Sequence, residues 1–308
     1  MSHEFDLVDV FARRRYAGNQ LAVVHDAADL DGDEMQAIAR EFGFSETTFV
    51  ESADPAGAAV RIFTPGGEIP FAGHPTLGTA AVLRERADGD PDAVTLSLGV
   101  GDVPVDVVDA GDAPGDRDGD ERFWMTQRAP SFGPTLDHDR LAEVLSIDPG
   151  DLDDDWPVRV VSTGLPTIVV PLRDRDALTR CAIDRAAYDA VTGDAAVADG
   201  AAENVLPFCP SPRNADNDLA VRMFAPAHGV PEDPATGSSN GCLAAYLARH
   251  RYWGEPTIEA RVEQGYELGR PSLLHLRASD AGAAGDSGDA VSVEVGGSVV
   301  PVASGRLD

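Results

Sequence analysis

Apolar residues along the chain switch between a spacing of two and a spacing of three to four, and each switch marks an element. Residues 5–10 and 20–24 alternate as strands on either side of the polar turn Arg13-Arg14-Arg15-Tyr16-Ala17-Gly18-Asn19. Met35, Ile38, Ala39 and Phe42 then fall at i, i+3, i+4 and i+7, which predicts an amphipathic helix begun by Asp31 or Asp33 and stopped at Gly43. Ser45-Glu46-Thr47-Thr48-Phe49-Val50 has the β-branched and aromatic content of a strand, so Glu46 stands where helix gives way to strand. A strand over 59–63 follows, and the helix after His74-Pro75 carries Leu77, Ala80, Ala81 and Leu83. Farther on, helices near 138–146 and 184–192 alternate with strands near 158–162, 166–172 and 219–224. Alternating valines over 291–300 predict a β-hairpin that completes a sheet begun elsewhere. The stretches 109–121 and 278–289, rich in Asp and Gly, read as solvated loops.

The pattern also repeats. Arg61-Ile-Phe63-Thr-Pro65 leads into His74-Pro75-Thr76-Leu77-Gly78-Thr79, and Arg222-Met-Phe224-Ala-Pro226 leads into Asp233-Pro234-Ala235-Thr236-Gly237-Ser238. Upstream of these, Gly18-Asn19-Gln20-Leu-Ala-Val-Val24 has a counterpart in Gly164-Leu-Pro166-Thr-Ile-Val-Val170. Two matches in the same order imply two half-molecules, each opening a helix at its turn and presenting it to one shared site. A length of 308 residues suits two domains. The boundaries expected are 1–128, completed by a C-terminal strand from about 290–308, and 129–289.

Composition narrows the function. With 53 acidic against 24 basic residues, the net charge of -29 repels nucleic-acid phosphates and anionic lipids. All 24 basic residues are Arg, and this usage reads as a surface adapted to high salt, where screening relieves carboxylate repulsion. Without lysine, a Schiff base, pyridoxal phosphate chemistry and a Walker-type phosphate loop are all excluded. Cys181, Cys209 and Cys242 are widely spaced and free of C-x-x-C, and no histidine pair has metal-ligand spacing, so neither a disulfide framework nor a metal site is expected. No leader pattern and no apolar run of roughly 20 residues is present, which points to a cytoplasmic protein away from membranes.

Both helix starts leave backbone N–H groups directed outward, which suits a small anionic substrate, with Thr79 and Ser238 as added hydroxyl donors. The plain alternative is helix capping by the same Pro, Thr, Ser and Gly residues. Glu46, set among Phe42, Phe44 and Phe49, is the candidate general base because burial raises a carboxyl toward the range useful for moving protons on carbon; the alternative is a solvated carboxylate. His74 either binds substrate beside Glu46 or is a cap or buried histidine. Asp233 either orients a substrate amine or hydroxyl or serves as an N-cap. Arg61 and Arg222 are expected to pair with carboxylates inside their own halves, Glu68 and Glu232 to be structural or solvated, and Cys242 to be core.

Arg61-Ile-Phe-Thr-Pro through Gly73-His74-Pro75-Thr-Leu-Gly78-Thr79, Glu232-Asp-Pro-Ala-Thr-Gly-Ser238, Ser45 through Val50, and Gln264-Gly265 through Gly269-Arg270-Pro271-Ser272 resemble the signature segments of the phenazine-biosynthesis PhzF-like family. The resemblance implies an α+β, diaminopimelate-epimerase-like fold: two pseudo-symmetric domains, each a curved sheet or barrel around a central helix, with the active site between them. It also implies a homodimer and an isomerase that works without cofactor. By motif, Glu46 becomes the proton carrier, and the Gly73 backbone, His74, Asp233 and Ser238 become substrate-binding groups. Related racemases carry a cysteine at each helix-start turn, and neither turn has one here. An epimerase using Glu46 and Asp233 as opposed acid and base, and a non-catalytic small-anion-binding or interaction protein, remain as alternatives.

Overall fold

A computed structural model of the chain describes residues 2–54, 57–87, 89, 91–109, 111, 121–194, 197, 202–282 and 291–308. Most of the two expected solvated loops, 112–120 and 283–290, lies outside the described residues. The chain forms two compact units, one of residues 1–126 with 296–308 and one of residues 127–295. The first unit thus ends two residues short of 128, because the Gln127 backbone N–H donates to the Val293 carbonyl (2.8 Å) and belongs to the second unit.

In the first unit, strand β1 (His3–Val10) lies antiparallel between β2 (Asn19–Val24) and the C-terminal strand β17 (Val299–Leu307). The order continues through β3 (Glu46–Asp54, parallel to β2), β4 (Gly57–Thr64), β6 (Ala93–Leu98, parallel to β4), β7 (Gly101–Asp109) and β8 (Glu121–Thr126), with the short β5 (Gly67–Ile69) also on β4. Helix α1 (Gly32–Phe42) joins β2 to β3, capped by Asp31 in a capping box and ended by left-handed Gly43. Helix α2 (Gly73–Arg86) touches β1, β2, β3, β6, β7, β8 and β17, so this sheet curves around it. Strand β16 (Val291–Gly297) ends just before Ser298, and β17 runs along β1 through eight paired residues.

The second unit repeats this plan. Strands β9 (Ser131–Leu136), β10 (Val158–Ser162), β11 (Thr167–Pro171), β12 (Asn204–Cys209), β13 (Leu219–Val221), β14 (Thr257–Gln264) and β15 (Ser272–Asp280) pair in that order. From β10 to β15 the pairings run antiparallel, parallel, antiparallel, parallel, antiparallel, the same alternation as β1, β2, β3, β4, β6 and β7. Helices α3 (His138–Leu145), α4 (Arg175–Arg180) and α5 (Arg185–Thr192) share an apolar cluster with β10 to β13, and α6 (Gly237–His250) packs on β10, β11, β14 and β15. The chain therefore has two units of one plan, each with strands gathered around a central helix, as expected of a diaminopimelate-epimerase-like fold. No helix among the described residues is long and apolar enough to cross a membrane.

Each central helix carries a glycine where a Cβ would crowd its neighbours, and in α2 that glycine meets the sheet. A Cβ at Gly78 would fall 2.6 Å from Leu21 Cδ2 and 2.7 Å from Val10 Cγ2, both on fully buried side chains; at Gly241 it would meet Gln127 and Thr163 at 3.1 and 3.3 Å. Hydroxyl pairs reinforce the approach: Thr48 with Thr79 (2.8 Å) and Thr167 with Ser239 (3.0 Å). Alanine at Gly78 improves helix propensity by about 1 kcal/mol. Overpacking costs about 1–3 kcal/mol, and the buried neighbours leave no room to recover it. Gly78→Ala is expected to lower the urea midpoint and Gly78→Val to lower it further; a midpoint raised by alanine would contradict this packing.

Candidate active site

Strand alternation decides which side chains meet α2. Leu21 lies against Gly78 and is in register with Glu46, so Asn19, Leu21, Glu46 and Thr48 share the α2 side of the sheet. Phe49 points to the other side, where it joins Met35, Ala39 and Phe63, with Phe42 packed against the same cluster and Phe44 stacked on Phe42 at 6.1 Å. The expected cage of Phe42, Phe44 and Phe49 around Glu46 is therefore not formed. Glu46 is instead buried against the first turn of α2.

Its Oε2 lies 3.5 Å from His74 Nε2; the Glu46 side chain retains 18% of its exposure and His74 6%. Oε2 itself is buried and accepts no hydrogen bond among the described residues. Burial raises the Glu46 carboxyl to about 7, opposed only in part by a hydrogen bond with Ser45. Around the imidazole, Asn19 Nδ2 lies 3.3 Å from His74 Nδ1, and Ser45 Oγ lies 3.4 Å from Asn19 Oδ1. Gly73 opens the helix and is buried. The structure thus brings Glu46, Gly73 and His74 together, and adds Asn19 and Ser45.

Asp233 and Ser238 belong to the second unit. Asp233 is buried; its carboxylate accepts from the Thr236 hydroxyl and its backbone N–H donates to the Met223 carbonyl at 3.0 Å. Asp233 is not an N-cap, since Thr236 holds that position in α6. Gln264 clamps the turn, donating to the Asp233 carbonyl (2.8 Å) and accepting from Asn240 Nδ2 (2.8 Å), while Ser272 donates to the Pro234 carbonyl (2.8 Å). Gly265 has a left-handed backbone (φ 76°), and a Cβ there would fall 2.5 Å from the Pro234 carbonyl oxygen. Ser238 lies half-buried in the first turn of α6, and its carbonyl accepts from Thr163 Oγ1 at 3.4 Å.

The paired turns are less alike than their residues. Pro75 sits inside the first turn of α2, whereas Pro234 precedes the Thr236 N-cap of α6. Proline lacks an N–H, and both locations tolerate it because neither requires that donor. The two helices do share one property: no side chain caps either start, while aspartates cap α1, α3, α4 and α5.

The surrounding charges are occupied as expected. Arg61 grips Glu68 through two hydrogen bonds of 2.8 and 2.7 Å, and Arg222 grips Glu232 at 2.9 and 2.7 Å while donating to the Cys181 carbonyl at 2.6 Å. Cys181, Cys209 and Cys242 are buried, and burial pushes their thiols up, to about 12 and about 11 for the first two. None of them is poised as a thiolate. Among the described residues no group of three or more His, Cys, Asp or Glu side chains is arranged to hold a metal ion.

Residues 8–305 match the family described as Phenazine biosynthesis-like protein. A trans-2,3-dihydro-3-hydroxyanthranilate isomerase of Pseudomonas aeruginosa is 36% identical, with 99% of each chain covered. The crystal structure of a phenazine biosynthesis protein of the PhzF family from Bacillus anthracis superposes with a TM-score of 0.87 at 26% identity, covering 100% of this chain and 99% of that one. A hydroxyproline epimerase from Agrobacterium vitis shares the fold (TM-score 0.59, 13% identity, covering 99% of this chain and 91% of that one). With a family match spanning nearly the whole chain and a relative named as an isomerase at 36% identity, the protein belongs to the phenazine biosynthesis-like family and is an isomerase.

Proposed function

We propose that the protein is a cofactor-free isomerase that moves a proton between carbons of a small amino- or hydroxy-carboxylate, with Glu46 as the proton carrier. The observation that carries this is Glu46 itself: a carboxyl raised by burial to about 7, with an unpartnered oxygen 3.5 Å from His74. As carboxylate it takes a proton from one carbon. The electron pair shifts along the substrate's unsaturated bonds, and the carboxyl then returns the proton to another carbon on the same face. Composition and oxidation state are unchanged, so no co-reactant is needed. The Gly73 backbone, His74, Asp233 and Ser238 bind and polarise the substrate. The similarity to the dihydro-hydroxyanthranilate isomerase supports a cyclic, unsaturated amino acid as the first compound to assay. The same reading takes the enzyme to be a cytoplasmic homodimer whose acidic, lysine-free surface suits high salt.

Glu46→Gln is expected to cut kcat on the order of 10³-fold or more while ligand affinity stays nearly unchanged, since the amide keeps the shape and loses the base. Turnover equal to that of the parent protein would overturn the assignment. For the parent, kcat/KM should fall about tenfold per pH unit below about 7, where Glu46 becomes protonated.

Stability should report the same titration without substrate. The folded protein binds the Glu46 proton more tightly (about 7) than a free glutamate does (4.5). Its contribution is therefore fully present below pH 4.5 and is lost as pH rises through 7, at a cost of about 3 kcal/mol. Relative to the parent, Glu46→Gln should gain stability at pH 8 and lose that gain near pH 4.5 in urea titrations at fixed salt. An identical difference at both pH values would contradict the burial of a titrating carboxyl.

A further inference from the structure

Gln264, at the end of β14, is buried, and the whole hydrogen-bonding capacity of its amide is spent at the turn that opens α6. Its Nε2 donates to the Asp233 carbonyl at 2.8 Å and to Thr236 Oγ1 at 3.3 Å. Its Oε1 accepts from the Thr236 backbone N–H at 3.3 Å and from Asn240 Nδ2 at 2.8 Å. Main-chain groups fix which end of each amide is which. A carbonyl only accepts and a backbone N–H only donates, so the Gln264 nitrogen has to face the Asp233 carbonyl and its oxygen the Thr236 N–H. Asn240 is oriented in the same way, because its Nδ2 also donates to the Thr236 carbonyl at 3.0 Å.

These orientations decide where the single proton of the Thr236 hydroxyl goes. Oγ1 receives an N–H from Gln264, a group that takes no proton in return, and donates its own proton to Asp233 Oδ2. From this polarity we infer that Gln264 is a positioning residue that turns the Thr236 hydroxyl onto the Asp233 carboxylate, and so holds Asp233 as an acceptor for an N–H or O–H of the substrate. A donor bonded to a carboxylate favours its charged form. Held this way, Asp233 is suited to receiving a substrate amine or hydroxyl, and unsuited to delivering a proton to carbon as the opposed acid of an epimerase. Charged groups on the same segments are engaged elsewhere. Arg222 grips Glu232, and Arg213 pairs with Glu267. Glu263 points to the other face of β14 from Gln264, where it accepts from the backbone N–H groups of Arg213 and Asn214 (2.7 and 2.8 Å) and from Asn217 Nδ2 (2.7 Å).

This inference rests on the reading of Asp233 as a substrate-binding group, but its test needs neither substrate nor turnover. In the ¹³C-labelled full chain at constant salt, the Asp233 side-chain carboxyl, assigned by its loss in Asp233→Asn, is titrated in the parent, in Thr236→Val, in Gln264→Glu and in the double variant. Thr236→Val removes the donor and should raise the Asp233 midpoint. Gln264→Glu offers the hydroxyl a second carboxylate, so it should raise that midpoint more when Thr236 is intact than in the Thr236→Val background, where only the added charge acts. Further contacts of Asp233 are common to every arm of this cycle and cancel. Gln264→Met, which loses the amide without adding charge, should show the same dependence on Thr236 and serves if Gln264→Glu does not fold. An unchanged midpoint in Thr236→Val, or equal increments from the Gln264 variants in both backgrounds, as a plain structural clamp would give, would overturn the inference. Should Glu46→Gln retain turnover while this coupling is found, the proton-carrier reading fails and the Gln264 role stands.

Discussion

The contact between Gly78 and the β1–β2 pair fixes where everything else in the first unit can be. Only a residue without a Cβ lets α2 press against Leu21 and Val10, and that approach sets the height of the helix start above the strand ends. Once the helix is placed, the pleat does the rest: Asn19, Glu46 and Thr48 have to face it, and Phe49 has to face α1. His74 at the second helical position then reaches both Asn19 and Glu46. The site is thus a consequence of one close packing contact combined with a period of two.

Burial gives this geometry its chemical meaning. Elsewhere arginines grip single carboxylates, as Arg222 does Glu232 and Arg61 does Glu68, whose carboxyl the guanidinium hydrogen bond holds below its ordinary value. Glu46 meets a serine and an imidazole, and desolvation dominates its behaviour. The free energy spent on burying it is small enough for a domain to carry and large enough to place its titration where protons can be taken and returned. In a chain of 53 acidic residues, what distinguishes Glu46 is its surroundings, since charge alone marks none of them.

Much of this was legible from residue order. The stripe of Met35, Ile38, Ala39 and Phe42, with Asp31 and Gly43 at its ends, specifies α1, because caps and periodicity are local. The segment around Glu46 announced a strand start for the same reason. The repeated turn signalled two equivalent units, yet its alignment misled about phase, since proline is tolerated both inside a first turn and before a cap. The direction of Phe49 depends on register with β2, a long-range property that spacing does not encode. Asn19 and Ser45 lie 55 and 29 residues from His74 in sequence, and only the sheet brings them to it. Gln264 is likewise read as a clamp on the Asp233 turn only once β14 is in place.

The central claim is that burial at the start of α2 makes Glu46 a proton carrier near neutral pH. The direct measurement is a ¹³C titration of the Glu46 side-chain carboxyl in the intact protein, assigned through Glu46→Gln and run at constant salt. The account predicts a midpoint of about 7, well apart from the bulk of the carboxylates. A midpoint near 4.5, the value of an ordinary glutamate, would contradict it.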